Sequence, residues 1–189
     1  MSNEIKKAVK VFLLPDYEQE EKYLTEMHKN GWKLKRVNVI GFVYTFEKCK
    51  PENVVYRLDF AEKKDKDMQS YITMFSEYGW EYIQDVNDYS YFRKGADGLA
   101  EEDTELFSDS ESRLEMMKRI INTKLMPFWI IFVCILVPNF IKAMAHGFDD
   151  IPLHTVLTVI FTLLFVWYSY VIIHCMIAFS KIKRKYKKE

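Results

Sequence analysis

Apolar and polar positions change period several times along the chain, and each change marks an element. Val9 and Val11 lead into an apolar run, so Lys10 to Leu14 is predicted as a short strand, stopped by Pro15-Asp16. A helix then follows from about Tyr17, with Tyr23, Leu24 and Met27 on one face, glutamates and lysines on the other, and Asn30-Gly31 as its left-handed end. Lys33 to Val39 and Phe42 to Lys48 form a predicted hairpin around Gly41, in which Phe42, Tyr44 and Phe46 share a face.

The same order then recurs. Val54 to Phe60 is a predicted strand and Asp67 to Tyr78 a helix facing inward through Met68, Tyr71, Ile72 and Phe75. Glu81 to Val86 and Tyr89 to Lys94 make the second hairpin. Tyr23-Leu-Thr-Glu-Met-His-Lys-Asn-Gly31-Trp32 matches Tyr71-Ile-Thr-Met-Phe-Ser-Glu-Tyr-Gly79-Trp80 in register, 48 residues on. Strand, helix, strand, strand, twice, reads as a duplicated α+β domain with antiparallel sheet.

Beyond residue 96 the pattern changes character. Residues 97 to 111 hold seven acids and no base, which predicts a solvated linker. Ser108 and Glu111 have the spacing of a capping box, and Leu114, Met117, Ile121 and Leu125 recur at helical spacing, so a helix from about Asp109 runs toward the next segment. That helix serves as a spacer against lipid headgroups or as a dimer contact, and a homo-oligomer stays open. Leu125 to Ile141 is uncharged over 17 residues and Ile151 to Ser180 over 30, enough for two membrane crossings at about 1.5 Å of rise per residue. The ten residues Ala143 to Pro152 join them, so a two-helix transmembrane hairpin is expected, with Asp149 and Asp150 in its loop.

Charge fixes the expected orientation. The 27 basic and 27 acidic side chains cancel, yet residues 180 to 189 hold six bases and one acid. Lys118, Arg119 and Lys124 precede the first span, and Lys181, Lys183, Arg184, Lys185, Lys187 and Lys188 follow the second, whereas the intervening loop side has Lys142 alone. A two-pass protein of the cell membrane with both termini cytoplasmic follows, its basic tail set to bind an anionic inner leaflet. Met1 to Lys10 has no apolar signal core. The expected organisation is 1-96 cytoplasmic duplicated domain, 97-124 acidic linker and juxtamembrane helix, 125-180 hairpin, and 181-189 basic tail. A disordered chain, a basic nucleic-acid binder and a single soluble globule are excluded.

Inside the first span Pro138 cannot donate to Cys134, so a kink is expected, with Asn139 and Lys142 as a polar notch or a snorkelling helix end. His174 is either an interfacial hydrogen-bonding group or a proton sensor. Cys49, Cys134 and Cys175 lack the spacing of a zinc site or a disulfide framework, and no cofactor or metal is expected. Trp32 and Trp80, each after a capping glycine, are hydrophobic partners of the helix end or the lining of a pocket between the copies. In Tyr56-Arg57-Leu58-Asp59-Phe60, alternation puts Arg57 and Asp59 together, either at a solvated or edge position with a weak ion pair or in a cleft between the repeats with Arg57 as anchor for an anionic group.

Taken together, Phe12 to Glu21, Met27-His-Lys-Asn-Gly-Trp32, Tyr44-Thr-Phe-Glu-Lys48, Tyr56-Arg-Leu-Asp-Phe60, Gly79-Trp-Glu-Tyr82 and Tyr91-Phe-Arg-Lys94 resemble the domain of unknown function 2812 (DUF2812) over about residues 8 to 95. The resemblance implies a Gram-positive bacterial membrane protein with a domain ahead of two or so transmembrane helices, in a regulatory setting beside PadR-like regulators. It implies no catalytic residue. The duplicated order is also similar to GyrI-like effector-binding domains, which hold hydrophobic cations between repeats. That similarity implies a ligand site of Trp32, Tyr44, Tyr56, Trp80 and Tyr91 around a buried carboxylate such as Glu47.

The function expected is therefore a membrane-anchored sensing or regulatory module that binds a small hydrophobic ligand or a partner protein. A tethered enzyme using Glu47, Arg57, Asp59 or His28 lacks any recognisable nucleophile, phosphate-loop or metal motif. A transport or pore subunit would rely on Asn139, Lys142 and His174.

Overall fold

The first sheet takes its strands in the order β1 (Ile5–Val9), β3 (Val43–Lys48), β2 (Trp32–Asn38), all antiparallel. The second takes β4 (Val54–Phe60), β6 (Tyr89–Gly95), β5 (Glu81–Val86), likewise antiparallel. Each sheet has one register shift in the strand after its helix, between Leu34 and Arg36 in β2 and between Tyr82 and Gln84 in β5. Helix α1 (Tyr17–Lys29) belongs to the first set and α2 (Met68–Glu77) to the second. The computed structural model describes residues 4–38, 42–60, 67–100, 102–106, 110–146 and 152–186. Two compact units divide at Met116/Met117.

The strand expected at Lys10 to Leu14 lies earlier, at Ile5–Val9. Its ladder to β3 runs from Ile5↔Glu47 to Val9↔Val43, with Lys10 N–H donating to Phe42 O as the last bond. Beyond it Pro15 offers no N–H, the Asp16 carboxylate takes the Leu13 N–H at 3.1 Å, and Leu14–Asp16 turns as a 3₁₀ segment. Phe12 leaves the sheet to pack on Tyr23 and Tyr44. An edge strand with solvent on its side chains has no apolar alternation to betray it, as the exposure of Ile5 and Val9 illustrates.

Both helices of this unit end on a left-handed glycine, Gly31 and Gly79, each with φ +80°. At Gly31 an added Cβ would sit 3.0 Å from the Cys49 carbonyl oxygen, so the close approach also requires glycine. Asp67 caps α2 through its carboxylate, which accepts from Gln69 N–H at 3.1 Å and Ser70 Oγ at 2.7 Å. Tyr71 and Phe75 then pack with Trp80 and Phe92, covered by Val55, Met68, Ile72, Tyr82 and Leu106.

Helix α1 lies across β4, the edge strand of the other sheet. Thr25 Oγ1 accepts from Tyr56 N–H at 3.2 Å and Glu21 from Leu58 N–H at 2.8 Å, so the helix supplies the acceptors that a neighbouring strand would. Its buried face is Tyr17, Glu20, Glu21, Leu24 and His28, so Glu20 and Glu21 turn inward against the expectation, while Glu26 is exposed in accord with it. The hairpin turn at Gly41 lies outside the described residues, and Phe42, with φ 48°, is exposed while Tyr44 and Phe46 are buried.

The acidic stretch expected to be a solvated linker is held against this unit in its described part. Lys94 Nζ donates to Asp103 O at 2.9 Å, Leu106 joins the α2 cluster, and Glu105 receives Arg57 through Nη2 at 3.0 Å and Nε at 3.3 Å. Arg113, on the first turn of α3 (Ser110–Ile120), also pairs with Glu105. Ser108, the expected cap of this helix, lies outside the described residues.

In the second unit the helix continues from α3 through α4 (Met126–Ile131) to α5 (Val137–His146), with π turns at Ile121–Leu125 and Phe132–Leu136. Each π turn ends two residues before a proline, Pro127 and Pro138, where the wider turn accommodates the ring and the missing N–H. The irregularity expected at Pro138 thus takes the form of a π turn. Asn139 Nδ2 donates to Ile135 O at 2.7 Å, so that amide serves its own helix. Helix α6 (Pro152–Tyr186) follows, and Phe128 stacks on Tyr168 and Phe132 and Phe140 on Phe165. Glu111–Lys142 (32 residues) and Val159–Arg184 (26 residues) are long and apolar enough to cross a membrane, and Ile130, Val133, Leu163 and Val166 among others remain exposed on them. Asp149 and Asp150 lie outside the described residues.

Candidate functional site

Consecutive glutamates on α1 serve two different environments. Tyr17, Glu20, Glu21, Leu24 and His28 follow the three- and four-residue spacing of one helix face, and in the fold that face turns both acids inward beside leucine. Glu20 is buried and its Oε1 accepts from two phenols, Tyr44 Oη at 2.7 Å and Tyr91 Oη at 2.6 Å. Tyr44 comes from β3 of the first sheet and Tyr91 from β6 of the second, so one carboxylate oxygen ties the two sheets. Burial raises the Glu20 pKa, and the two hydroxyls offset part of that rise. Burial and the facing carboxylate drive both tyrosine hydroxyls upward, which keeps them protonated as donors.

This carboxylate opens on a small cavity of about 70 Å³. Phe12, Tyr17, Phe42 and Tyr89 wall it along with the two tyrosines, and Asn38 and Asn87 stand at the strand ends. The chemistry is one buried acceptor inside an aromatic wall. It suits a cation or a hydrogen-bond donor carried on an apolar body.

Glu21 faces elsewhere. Burial pushes its pKa up to about 7, against the charge of Arg57 and the hydrogen bond from Leu58 N–H. Arg57 Nη1 stands 3.9 Å from Glu21, and the Arg57 guanidinium then grips Glu105, which Arg113 shares. The row Glu21, Arg57, Glu105, Arg113 alternates in sign and joins α1, β4, the acidic stretch and α3. Arg57 therefore lies on an edge strand, as expected, but is largely buried and not free to anchor a ligand without displacing Glu105. Asp59, expected beside it, is buried and accepts from Tyr71 Oη at 2.6 Å.

The remaining expected ligand residues do not converge on Glu20. Tyr56 is fully buried and its hydroxyl accepts from Leu34 N–H at 3.2 Å while meeting His28 Nδ1 at 2.8 Å. Burial, aided by the charge of Arg93, lowers the His28 pKa. Glu47 is not the buried carboxylate: it is partly exposed and pairs with Lys33 at 2.8 Å and Lys35 at 3.3 Å, and the Lys33 hydrogen bond holds its pKa low. The alternation that buries Tyr44 and Phe46 turns residue 47 outward. Trp32 is half-buried under Lys48, 4.6 Å from the ring centroid, and Trp80 is buried beside Lys94 at 5.5 Å. Lys181, Lys183 and Arg184 lie near the end of α6, Lys185 continues it, and Lys187 and Lys188 fall outside the described residues. Among the described residues no group of three or more His, Cys, Asp or Glu is placed to hold a metal ion.

A small α+β head of two three-stranded antiparallel sheets, with two long apolar helices C-terminal to it, is the class these observations define. A family model described as a protein of unknown function, DUF2812, matches residues 16–132, and the chain belongs to that family. The match runs past the head through the acidic stretch and into the first apolar helix. No curated protein and no solved structure matches the chain.

Proposed function

We propose that the chain is a membrane-anchored sensing module whose head binds a small hydrophobic ligand, best a lipophilic cation, in the cavity over Glu20. The observation that carries this reading is the single buried carboxylate shared by Tyr44 and Tyr91 from the two sheets. A cation entering there relieves the cost of burying the carboxylate charge and gains the aromatic faces around it. At about 70 Å³ the cavity takes part of one aryl ring, whose C–H edge is electropositive in an aryl cation, and Phe12, Phe42 and Asn87 along its lining meet the rest.

The head is read as a duplication, with Glu20 in a seam between copies. The register shifts at Leu34/Arg36 and Tyr82/Gln84 and the left-handed Gly31 and Gly79 recur at the 48-residue offset of the Gly-Trp motifs, and both sheets take the same strand order. The two apolar helices are read as a hairpin anchor with both termini cytoplasmic, supported by the basic side chains before the first and after the second. Lys181 to Lys188 then meet an anionic inner leaflet. A ligand-dependent contact with a regulatory protein completes the module.

Calorimetric titration of the full chain in neutral detergent with tetraphenylphosphonium tests the ligand reading. Binding should be saturable and weaken at least tenfold in Glu20→Gln. Equal heats from wild type and Glu20→Gln would assign the uptake to detergent and apolar helices and remove the site.

A further inference from the structure

At the strand ends opposite the Glu20 cavity lies a second opening, a cleft of about 580 Å³. Lys33 and Lys48 reach it from the first sheet and Arg93 and Lys94 from the second, with Lys50 from the connection between them. Against these five cations Glu52 and Glu81 are the acids that line it among the described residues. We propose that this cleft is a binding site for a phosphate-bearing anion, independent of the ligand read for Glu20.

The cations are held in place by their surroundings. Lys48 sits over Trp32 and Lys94 over Trp80, 4.6 and 5.5 Å from the ring centroids, in corresponding places of the two sheets. Arg93 is clamped by Glu81 through Nη2 at 2.5 Å and Nε at 2.7 Å. Lys33 also meets Glu47 at 2.8 Å and Lys48 meets Glu4 at 3.3 Å, from outside the cleft lining. Pairs this exposed contribute about 0–1 kcal/mol, so a multiply charged anion competes for the ammonium groups successfully. Ammonium groups converging from several directions suit a tetrahedral phosphate, which accepts around its whole surface.

The space itself gives the sharpest test. Gly95 lines the cleft, and a Cβ built there meets no atom within 4 Å. Gly95→Glu therefore adds a negative charge at the wall of the cleft, at a position whose Cβ meets no neighbour. The full chain in neutral detergent at low salt is titrated with inorganic tripolyphosphate, with ATP and, in a separate arm, with short-chain phosphatidic acid, which distinguishes a soluble phosphate from a lipid headgroup. Wild type should bind at least one of the three, Gly95→Glu should weaken that binding at least tenfold at unchanged melting temperature, and Lys48→Gln and Lys50→Gln should each weaken it a few-fold. Glu20→Gln should leave it untouched, so this site and the tetraphenylphosphonium site stand or fall separately. Absence of binding by all three probes, or equal binding by Gly95→Glu as from a basic tail alone, overturns the proposal.

Discussion

Helix α2 turns Tyr71 and Phe75 onto Trp80 and Phe92, whereas α1 turns Glu20, Glu21 and His28 inward beside Leu24. Both helices run from a strand to a glycine of φ +80° and both cover a three-stranded sheet, yet one buries rings and the other buries ionisable groups. The contrast separates two tasks. Hydrocarbon packed as in α2 stabilises in proportion to area and asks for little else. Buried carboxylates stabilise only when every acceptor is met, and α1 meets them from far along the chain: Tyr91 is 71 residues from Glu20 and Leu58 is 37 from Glu21. Polar burial of that kind, beside a cavity, is where a binding site is expected.

Removing rings on the α2 side should cost most. Phe92, fully buried between Tyr71, Phe75 and Tyr82, should lose about 3–5 kcal/mol as Phe92→Ala in urea unfolding, with no change in the pH dependence. The α1 side should show itself in pH instead. The folded pKa of Glu21, about 7, lies above its ordinary 4.5, so the folded state binds more protons between those values. Its contribution is fully present below pH 4.5 and is lost as pH rises through 7, a fall of about 3 kcal/mol. Glu20, also raised, adds in the same direction. His28, lowered, slopes the opposite way below 6.5, so the difference between wild type and Glu21→Gln in urea midpoints against pH is the quantity to read. Parallel curves for the two proteins would break the contrast between the helices.

Smaller effects sharpen it. Glu21→Leu leaves Leu58 N–H without its acceptor and should cost about 1–3 kcal/mol at pH 5, while Glu21→Gln, which keeps an acceptor oxygen, should cost less. Asp67→Ala removes the cap of α2 and should lower the melting temperature slightly, by the same amount at every pH above 5.

The apolar half was the readable one. Strand β4 lies at Val54–Phe60 and α2 between Asp67 and Tyr78, as periodicity predicts, because a helix or strand that buries hydrocarbon writes its period into the sequence. In the polar half the same rule misled. Glutamates at positions 20 and 21 read as a solvated face, and their partners lie on strands that only folding brings near. Glu47, expected as the buried carboxylate, is turned outward to Lys33 and Lys35 by the same alternation that buries Tyr44 and Phe46. The run of acids after residue 96 read as a free linker, while Glu105 fits between Arg57 and Arg113. Of the expected ligand residues, Tyr44 and Tyr91 do meet at one carboxylate, and the identity of that carboxylate required the fold.

A photoreactive aryl phosphonium, cross-linked to the full chain in liposomes and mapped by mass spectrometry, tests the site most directly. Labelling should fall on the peptides that carry Phe12, Tyr44 and Tyr91, be displaced by excess tetraphenylphosphonium, and vanish from them in Glu20→Gln. Labelling confined to the apolar stretches between Met126 and Arg184, unchanged by the substitution, would contradict a ligand site in the head.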